Sequence, residues 1–372
     1  MSVNTAPLSA GRVLDLLRAG WAAQRDGALT ASWMLHGRPG VGKTDIVRQL
    51  AEETGATLFD LRLTTIEPQD LRGLPYYDHA ASKTVWYRPE DLPDDPDQPA
   101  ILFLDELTAA SPWLQPTVYG LLQERRVGRH RLPDNVFIVA AGNMVEDGAI
   151  AYEMGTALSD RLIHLMIRAD AEDWLLNFAA PRGLDPAVTA FLRGRPDLLE
   201  TTADSLQRGH MIACTPRSWE RVSAIMGAVQ DRASRQAMIA GTLGDAVAAE
   251  FSVIADDISA TVHIGSLLAA SDRDRPAQYP NTLHGLNAVV FGLVGATTQQ
   301  TVTQAIAAME DIRHLAETRP AEGFGRLPLA ELCSFGFEML MARALKEDMG
   351  AAFAASEPYA RYAADRRAAG LD

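Results

Sequence analysis

GRPGVGKT, residues 37–44, is the stretch on which the reading of this chain turns. It is a complete G-x-x-x-x-G-K-[ST] phosphate loop, and its flanks fit that reading. Before it, residues 32–36 (SWMLH) form a short apolar run with the character of a buried strand. After it, residues 45–54 place Ile46, Val47, Leu50 and Ala51 at helical spacing. Strand, glycine-rich loop and helix in that order are what the chemistry needs. Gly37, Gly40 and Gly42 let the backbone curl until successive N–H groups point at phosphate oxygens. The helix start adds partial positive charge at the same point. Lys43 then reaches the β- and γ-phosphates, and the Thr44 hydroxyl is placed to ligate Mg²⁺. An accidental glycine-rich turn is the competing reading. Lysine occurs in this chain only at 43, 83 and 346, which weighs against accident.

Further along, residues 57–63 (TLFDLRL) alternate apolar and polar side chains and read as a second strand. Residues 100–104 form a continuous apolar run, as in a parallel strand buried on both faces, and Asp105 and Glu106 follow it. Carboxylates at the C-terminal end of such a strand lie where α/β sheets bind ligands. Asp105 is placed to hold Mg²⁺ through water and Glu106 to orient the attacking water. A strand capped by an acidic helix start is the alternative. Residues 136–141 (VFIVAA) are another buried strand ending in Gly142-Asn143, whose amide can bond both the γ-phosphate and the water. Residues 164–167 (HLMI) read as the fifth strand, with Arg161 just ahead of it. That arginine is either a local salt-bridge partner or one presented to another subunit's γ-phosphate. His164 reads as a core or edge histidine.

Two insertions stand out. Residues 64–99 are irregular, rich in turn formers, and carry Tyr76, Tyr77, Trp86 and Tyr87. They form either a hairpin whose aromatics cover its own base or a loop that meets a partner or lines a central pore. Residues 125–135 hold Arg125, Arg126, Arg129, His130 and Arg131 with turn signals at Gly128 and Pro133-Asp134. This is a solvated charge run or a projecting hairpin that meets an acidic partner, a neighbouring subunit or nucleic acid.

Residues 111–124 read as a helix. Beyond residue 170 strand signals fade and helices are expected over 170–180, 186–193, 217–230, 234–243, 245–258, 282–299, 303–318 and 329–349. Thr215 is an N-cap candidate with Pro216 at the first helical position, which puts Arg217 in the first turn. A cation is unfavourable there by a few tenths of a kcal/mol, roughly, unless an anion such as ATP phosphate or solvent compensates. Residues 272–280 (DRDRPAQYP) are a polar connector and a candidate boundary.

The net charge of −14 disfavours a nucleic-acid backbone as main partner. Cys214 and Cys333 have no second ligand nearby in sequence, so neither a disulfide framework nor a metal site is expected. No secretory signal is expected at the N-terminus. The longest apolar run, residues 286–296, is too short to cross a bilayer. A cytoplasmic protein is expected.

The order of phosphate loop, ILFLDE, AAGN, the arginine of LSDRL and the arginine of TPRSW resembles the AAA+ ATPases. PQDLRGLP, LQERRVGRHRLPDNVFIVAAGN and TPRSWERV are more narrowly similar to the MoxR branch. The resemblance covers residues 8–270. It implies a parallel five-stranded α/β domain flanked by helices (residues 1–168) and an α-helical lid (169–271). A further helical extension (272–372) lies outside it. It implies that Gly37, Pro39, Gly40, Val41, Gly42, Lys43 and Thr44 bind ATP as the Walker A loop. Asp105 and Glu106 become the Walker B pair, with Thr44 and Asp105 on Mg²⁺. Asn143 becomes sensor 1, Arg161 an arginine finger acting in trans, and Arg217 sensor 2. It also implies a ring, expected to be a hexamer, that hydrolyses ATP to remodel a protein partner as a chaperone does. ATPases of this branch commonly work with a partner carrying a von Willebrand factor A domain. A clean aromatic–apolar–glycine pore loop is missing, Tyr76-Tyr77 being the nearest, so local remodelling is expected rather than threading. The rival readings are a nucleic-acid-stimulated motor subunit and a nucleotide-gated binding module.

Overall fold

The computed structural model describes residues 4–144 and 159–368. They fall into two compact units. The first holds residues up to 169 together with 202–209, and the second holds the rest.

The first unit is built on a parallel sheet of five strands. These are β1 (Ser32–His36), β2 (Thr57–Arg62), β5 (Ala100–Asp105), β8 (Val136–Gly142) and β9 (Leu162–Met166), in the spatial order β2-β5-β8-β1-β9. The pleat sends alternate side chains to opposite faces, and the sequence uses both. Leu35, Ile101, Phe103, Phe137, Val139 and Leu165 pack against α1 (Ala10–Arg25) and α2 (Lys43–Thr54). Met34, Leu102, Leu104, Ile138 and Ala140 pack against Leu114 and against Val118, Leu121 and Leu122 of α3 (Gln115–Glu124). Full burial of each large side chain stabilises the fold by about 1.5–3 kcal/mol, which is why these runs lack the polar alternation of a half-exposed sheet. Trp21 of α1 meets Phe137 edge-on at 5.7 Å and fixes that helix against the sheet. Leu8 extends the sheet by one parallel bridge to Ile167.

Register brings the chemistry to one edge. His36 is level with Gly142 on one side and Met166 on the other, and Arg62 is level with Asp105. The loops that follow β1, β5 and β8 therefore leave the sheet side by side. Two boundaries differ from the sequence expectation. β9 begins at Leu162, directly after Arg161, rather than at His164. The helix expected from residue 111 begins at Gln115, because Pro116 suits the first turn and Ser111–Leu114 forms a separate turn.

The two insertions are hairpins. β3 (Pro75–Asp78) pairs antiparallel with β4 (Lys83–Trp86), and Tyr76 stacks on Tyr87 at 4.5 Å. The Arg72 guanidinium lies over Trp86. Part of the aromatic content thus covers the hairpin's own base, while Tyr77 and Leu74 stay exposed. β6 (Arg126–Val127) and β7 (His130–Arg131) form the basic hairpin. The hairpins are joined: Arg88 donates to the Arg131 carbonyl at 3.1 Å, and His130 Nε2 lies 3.2 Å from the Arg72 carbonyl. Most of the basic cluster is already compensated. Arg125 donates to the carbonyls of Pro133 and Val136, Arg126 pairs with Glu124, and Arg131 pairs with Asp134.

The second unit is helical. Pro186–Gly194, Pro216–Ala228, Arg232–Leu243, Asp245–Thr261, Leu283–Gly295, Val302–Thr318, Leu329–Lys346 and Glu357–Ala368 are its main helices. Phe191, Trp219 and Phe251 form an aromatic centre with ring separations of 5.4–5.7 Å. The segment 272–280, read as a connector, is fastened to the helix Val302–Thr318. Buried Arg275 pairs with Asp311 at 2.6 Å and the Tyr279 hydroxyl donates to the Ala308 carbonyl. The stretch Asp245–Ala269 has the length and hydropathy of a membrane span. Its Ala248, Phe251, Ala255 and Ile258 are buried at helical spacing, as in a helix packed within a protein.

Candidate active site

The loop between β1 and α2 has the backbone its glycines allow. Gly40 and Gly42 take positive φ, +79° and +99°, where a side chain would be strained. Gly37 differs from the sequence expectation. It is needed for close approach, since a Cβ there would lie 2.9 Å from the Ile167 carbonyl oxygen. Gly42 is also the N-cap of α2 and brings no capping side chain. The first-turn N–H groups are thus left to an anion, as a phosphate-binding loop requires.

Lys43 is buried. Its Nζ donates to the carbonyls of Gly37 and Arg38 and, at 2.8 Å, to Asn143 Oδ1. This one contact ties the loop after β1 to the end of β8. The Thr44 hydroxyl donates to Asp105 Oδ2 at 3.3 Å, and the other Asp105 oxygen accepts the Glu106 N–H at 2.8 Å. Burial pushes the Asp105 carboxyl above its ordinary range, and the Glu106 N–H pulls it back. A hydroxyl and a carboxylate side by side are hard oxygen donors of the kind Mg²⁺ takes. Pro39 and Val41 fill the loop between its glycines, with Val41 buried.

Glu106 stands apart. It has φ +59° and ψ +33°, a left-handed conformation rare for a residue with a side chain. Its carboxylate accepts from the Thr64 hydroxyl, and Arg62 Nε lies 3.8 Å away. The end of β2 therefore holds the group that the end of β5 supplies. Sequence reasoning missed Thr64 and Arg62. The signal available was only their position after the second strand.

The sensor position is braced from behind. The Thr108 hydroxyl donates to the Asn143 carbonyl at 3.0 Å, and a Cβ on Gly142 would lie 2.5 Å from that hydroxyl oxygen. Gly142→Ala is expected to destabilise the protein by about 1–3 kcal/mol, the usual result of overpacking a filled site. A thermal melt checks this; an unchanged midpoint would show that Thr108 yields freely.

Lys43, Thr44, Asp105, Glu106 and Asn143 are thus brought together. Arg161 lies in the turn ahead of β9, exposed. Arg217 belongs to the second unit, exposed in the first turn of Pro216–Ala228. Thr215 caps that helix through a capping box with Ser218.

Strand order, loop geometry and the acidic strand end together define a P-loop nucleotide-binding unit of AAA+ architecture, followed by a helical region. Residues 32–162 match the AAA domain family, dynein-related subfamily. No curated protein matches the chain. Among solved structures, the chain is similar to a candidate ATPase from Cytophaga hutchinsonii, at 19% identity and TM-score 0.32. That match covers 44% of this chain and 47% of the other, so the chain spans about half of it. It is also similar to two point mutants of RuvB from Thermotoga maritima, at 16% and 13% identity with TM-scores 0.37 and 0.36. Those matches cover 76% and 77% of this chain and 81% and 83% of the others.

Proposed function

We propose that this protein is a Mg²⁺-dependent ATPase of the MoxR type. In this reading it forms a ring, a hexamer, in the cytoplasm and remodels a partner protein together with a von Willebrand factor A domain protein. The observation that carries the catalytic part is the convergence on one sheet edge of Lys43, Thr44, Asp105, Glu106 and Asn143. Thr44 and Asp105 would hold Mg²⁺, which when bound offsets phosphate charge. Lys43 exchanges its carbonyl and Asn143 partners for phosphate oxygens. Asn143, released, bonds the γ-phosphate and the water. Glu106 takes the proton of that water as its oxygen attacks phosphorus and ADP leaves. Arg161 and Arg217 are assigned the finger and sensor roles on their motifs, and residues 169–271 the lid.

The ring reading is supported by Arg161 being exposed immediately ahead of the edge strand β9. The partner reading is supported by the two joined hairpins with Tyr77 and Leu74 exposed. The internal pairing of Arg125, Arg126 and Arg131 lowers the charge available to a nucleic acid and disfavours the motor reading.

The test is the specific rate of ATP hydrolysis against protein concentration. Activity per subunit is expected to climb and then saturate as shared sites assemble. A flat, substantial rate would mean self-sufficient protomers and would remove the ring. An absence of hydrolysis at every concentration, with ATP bound, would favour the nucleotide-gated binding module.

A further inference from the structure

Two histidines outside this chemistry form a directed contact beneath it. His36 ends β1 and immediately precedes Gly37, and its imidazole is buried. Its Nε2 lies 2.8 Å from Nδ1 of His164 on the neighbouring strand β9. The rings are stacked, 5.1 Å between centroids at 17°. His164 Nε2 in turn lies 2.9 Å from the carbonyl oxygen of Ser159 and 3.1 Å from its hydroxyl. Ser159 is two residues ahead of Arg161.

The tautomers follow from who can donate. A carbonyl only accepts, so His164 Nε2 carries a proton. In a neutral ring its Nδ1 is then bare and accepts, so His36 Nε2 carries the proton between the rings. His36 Nδ1 is left as a buried acceptor with no hydrogen-bond partner among the described residues. Burial, then His164, then Lys43 lower the His36 pKa to about 4, so this ring stays neutral at physiological pH. The contact runs one way: phosphate-loop root, His36, His164, Ser159 carbonyl, Arg161 turn. A buried acceptor without a partner costs stability, so plain packing would be served better by an apolar side chain at position 36.

We propose that His36 and His164 are positioning residues, a neutral hydrogen-bond relay that holds the Arg161 turn in register with the phosphate loop of the same subunit. The inference deepens the reading of Arg161 as the arginine offered to a neighbour and rests on it. Each subunit then sets the arginine it presents by the placement of its own nucleotide loop. Nucleotide binding is supplied by other groups, the loop N–H groups with Lys43 and Thr44, so the relay acts on turnover and not on affinity.

His164→Phe keeps the ring's bulk and removes both hydrogen bonds. His164→Gln keeps an acceptor for His36 and a donor for Ser159. In steady-state hydrolysis His164→Phe is expected to lower kcat by roughly 10- to 100-fold, the cost of misplacing a reacting group by about an ångström, with KM for ATP unchanged. His164→Gln is expected to regain most of that loss. If His164→Phe does not fold, His164→Asn, too short to span both partners, serves as the broken relay. Wild-type kcat in the broken variant would overturn the proposal, as would a rise in KM alone, or a folded His164→Gln no better than the broken one. Arg161→Ala in the same series separates the two claims. If it is inactive while the broken relay turns over normally, the relay alone falls. If it turns over normally, the arginine reading falls and takes the relay with it.

Discussion

Arg161→Ala is expected to lower kcat for ATP hydrolysis by about 10³-fold or more, within the range an arginine finger contributes. Binding of ATP, measured with a fluorescent analogue, is expected to stay at the wild-type level. The two halves of that expectation have separate causes. Affinity comes from the loop N–H groups, Lys43 and Thr44, which are preformed in one chain. The γ-phosphate gains charge on its equatorial oxygens in the transition state, and Arg161 is the cation the ring reading places there from the next subunit. Its backbone runs directly into β9, which starts at the next residue. Mixing Arg161→Ala with Lys43→Ala sharpens the test. The first keeps a sound loop and the second a sound arginine, so a mixed ring regains sites that neither variant has alone. Wild-type hydrolysis by Arg161→Ala, or no regain on mixing, would remove the claim that the site is shared.

Much of the fold is legible in the order of residues along the chain. The sheet strands follow from continuous apolar runs at 100–104 and 136–141, because a strand buried on both faces needs no polar alternation. Asp105, Glu106 and Asn143 are readable as a group because they closely follow such runs, and parallel strands bring their C-terminal ends to one edge. Gly40 and Gly42 are legible as residues of positive φ. What stays hidden depends on tertiary register. Nothing local marks His36 and His164 as partners, since their contact exists only because β1 lies beside β9, 128 residues apart in the chain. Thr64 looks like the first residue of an insertion, and its bond to Glu106 follows from β2 lying beside β5. The basic hairpin shows the opposite error. Read along the chain it is a dense positive run, but folding brings Glu124, Asp134 and backbone carbonyls onto three of its arginines. The segment 272–280 has the composition of a linker, yet Arg275 is buried because Asp311 on a distant helix receives it.

Glu106→Gln is expected to lower kcat by about 10²- to 10⁴-fold, the usual contribution of a positioned general base, while ATP binding is retained. The change is nearly isosteric. An amide oxygen can still accept from Thr64, and the left-handed backbone asks the same of glutamine as of glutamate. Only the ability to take the water's proton is lost. The backbone is informative here. A non-glycine residue at φ +59° costs about 1–3 kcal/mol, and such strain persists where the surroundings hold it in place for a purpose. The conformation turns the Glu106 carboxylate toward Thr64 and Arg62 at the end of β2, while its own N–H bonds Asp105. Two carboxylates in adjacent positions are thereby pointed to different tasks. Asp105 stays between Thr44 and the backbone, and Glu106 is parked on a neutral hydroxyl from which it can swing to a water. Removing its charge also removes one of the repulsions that raise the Asp105 pKa, so the Thr44–Asp105 pair is left no worse for a cation. A variant that binds ATP and does not turn it over would accumulate the assembled ring with its partner attached, which makes it the bait for identifying that partner. Hydrolysis by Glu106→Gln within a few-fold of wild type would show that another group takes the proton, and the roles given to the two carboxylates would have to be exchanged or abandoned.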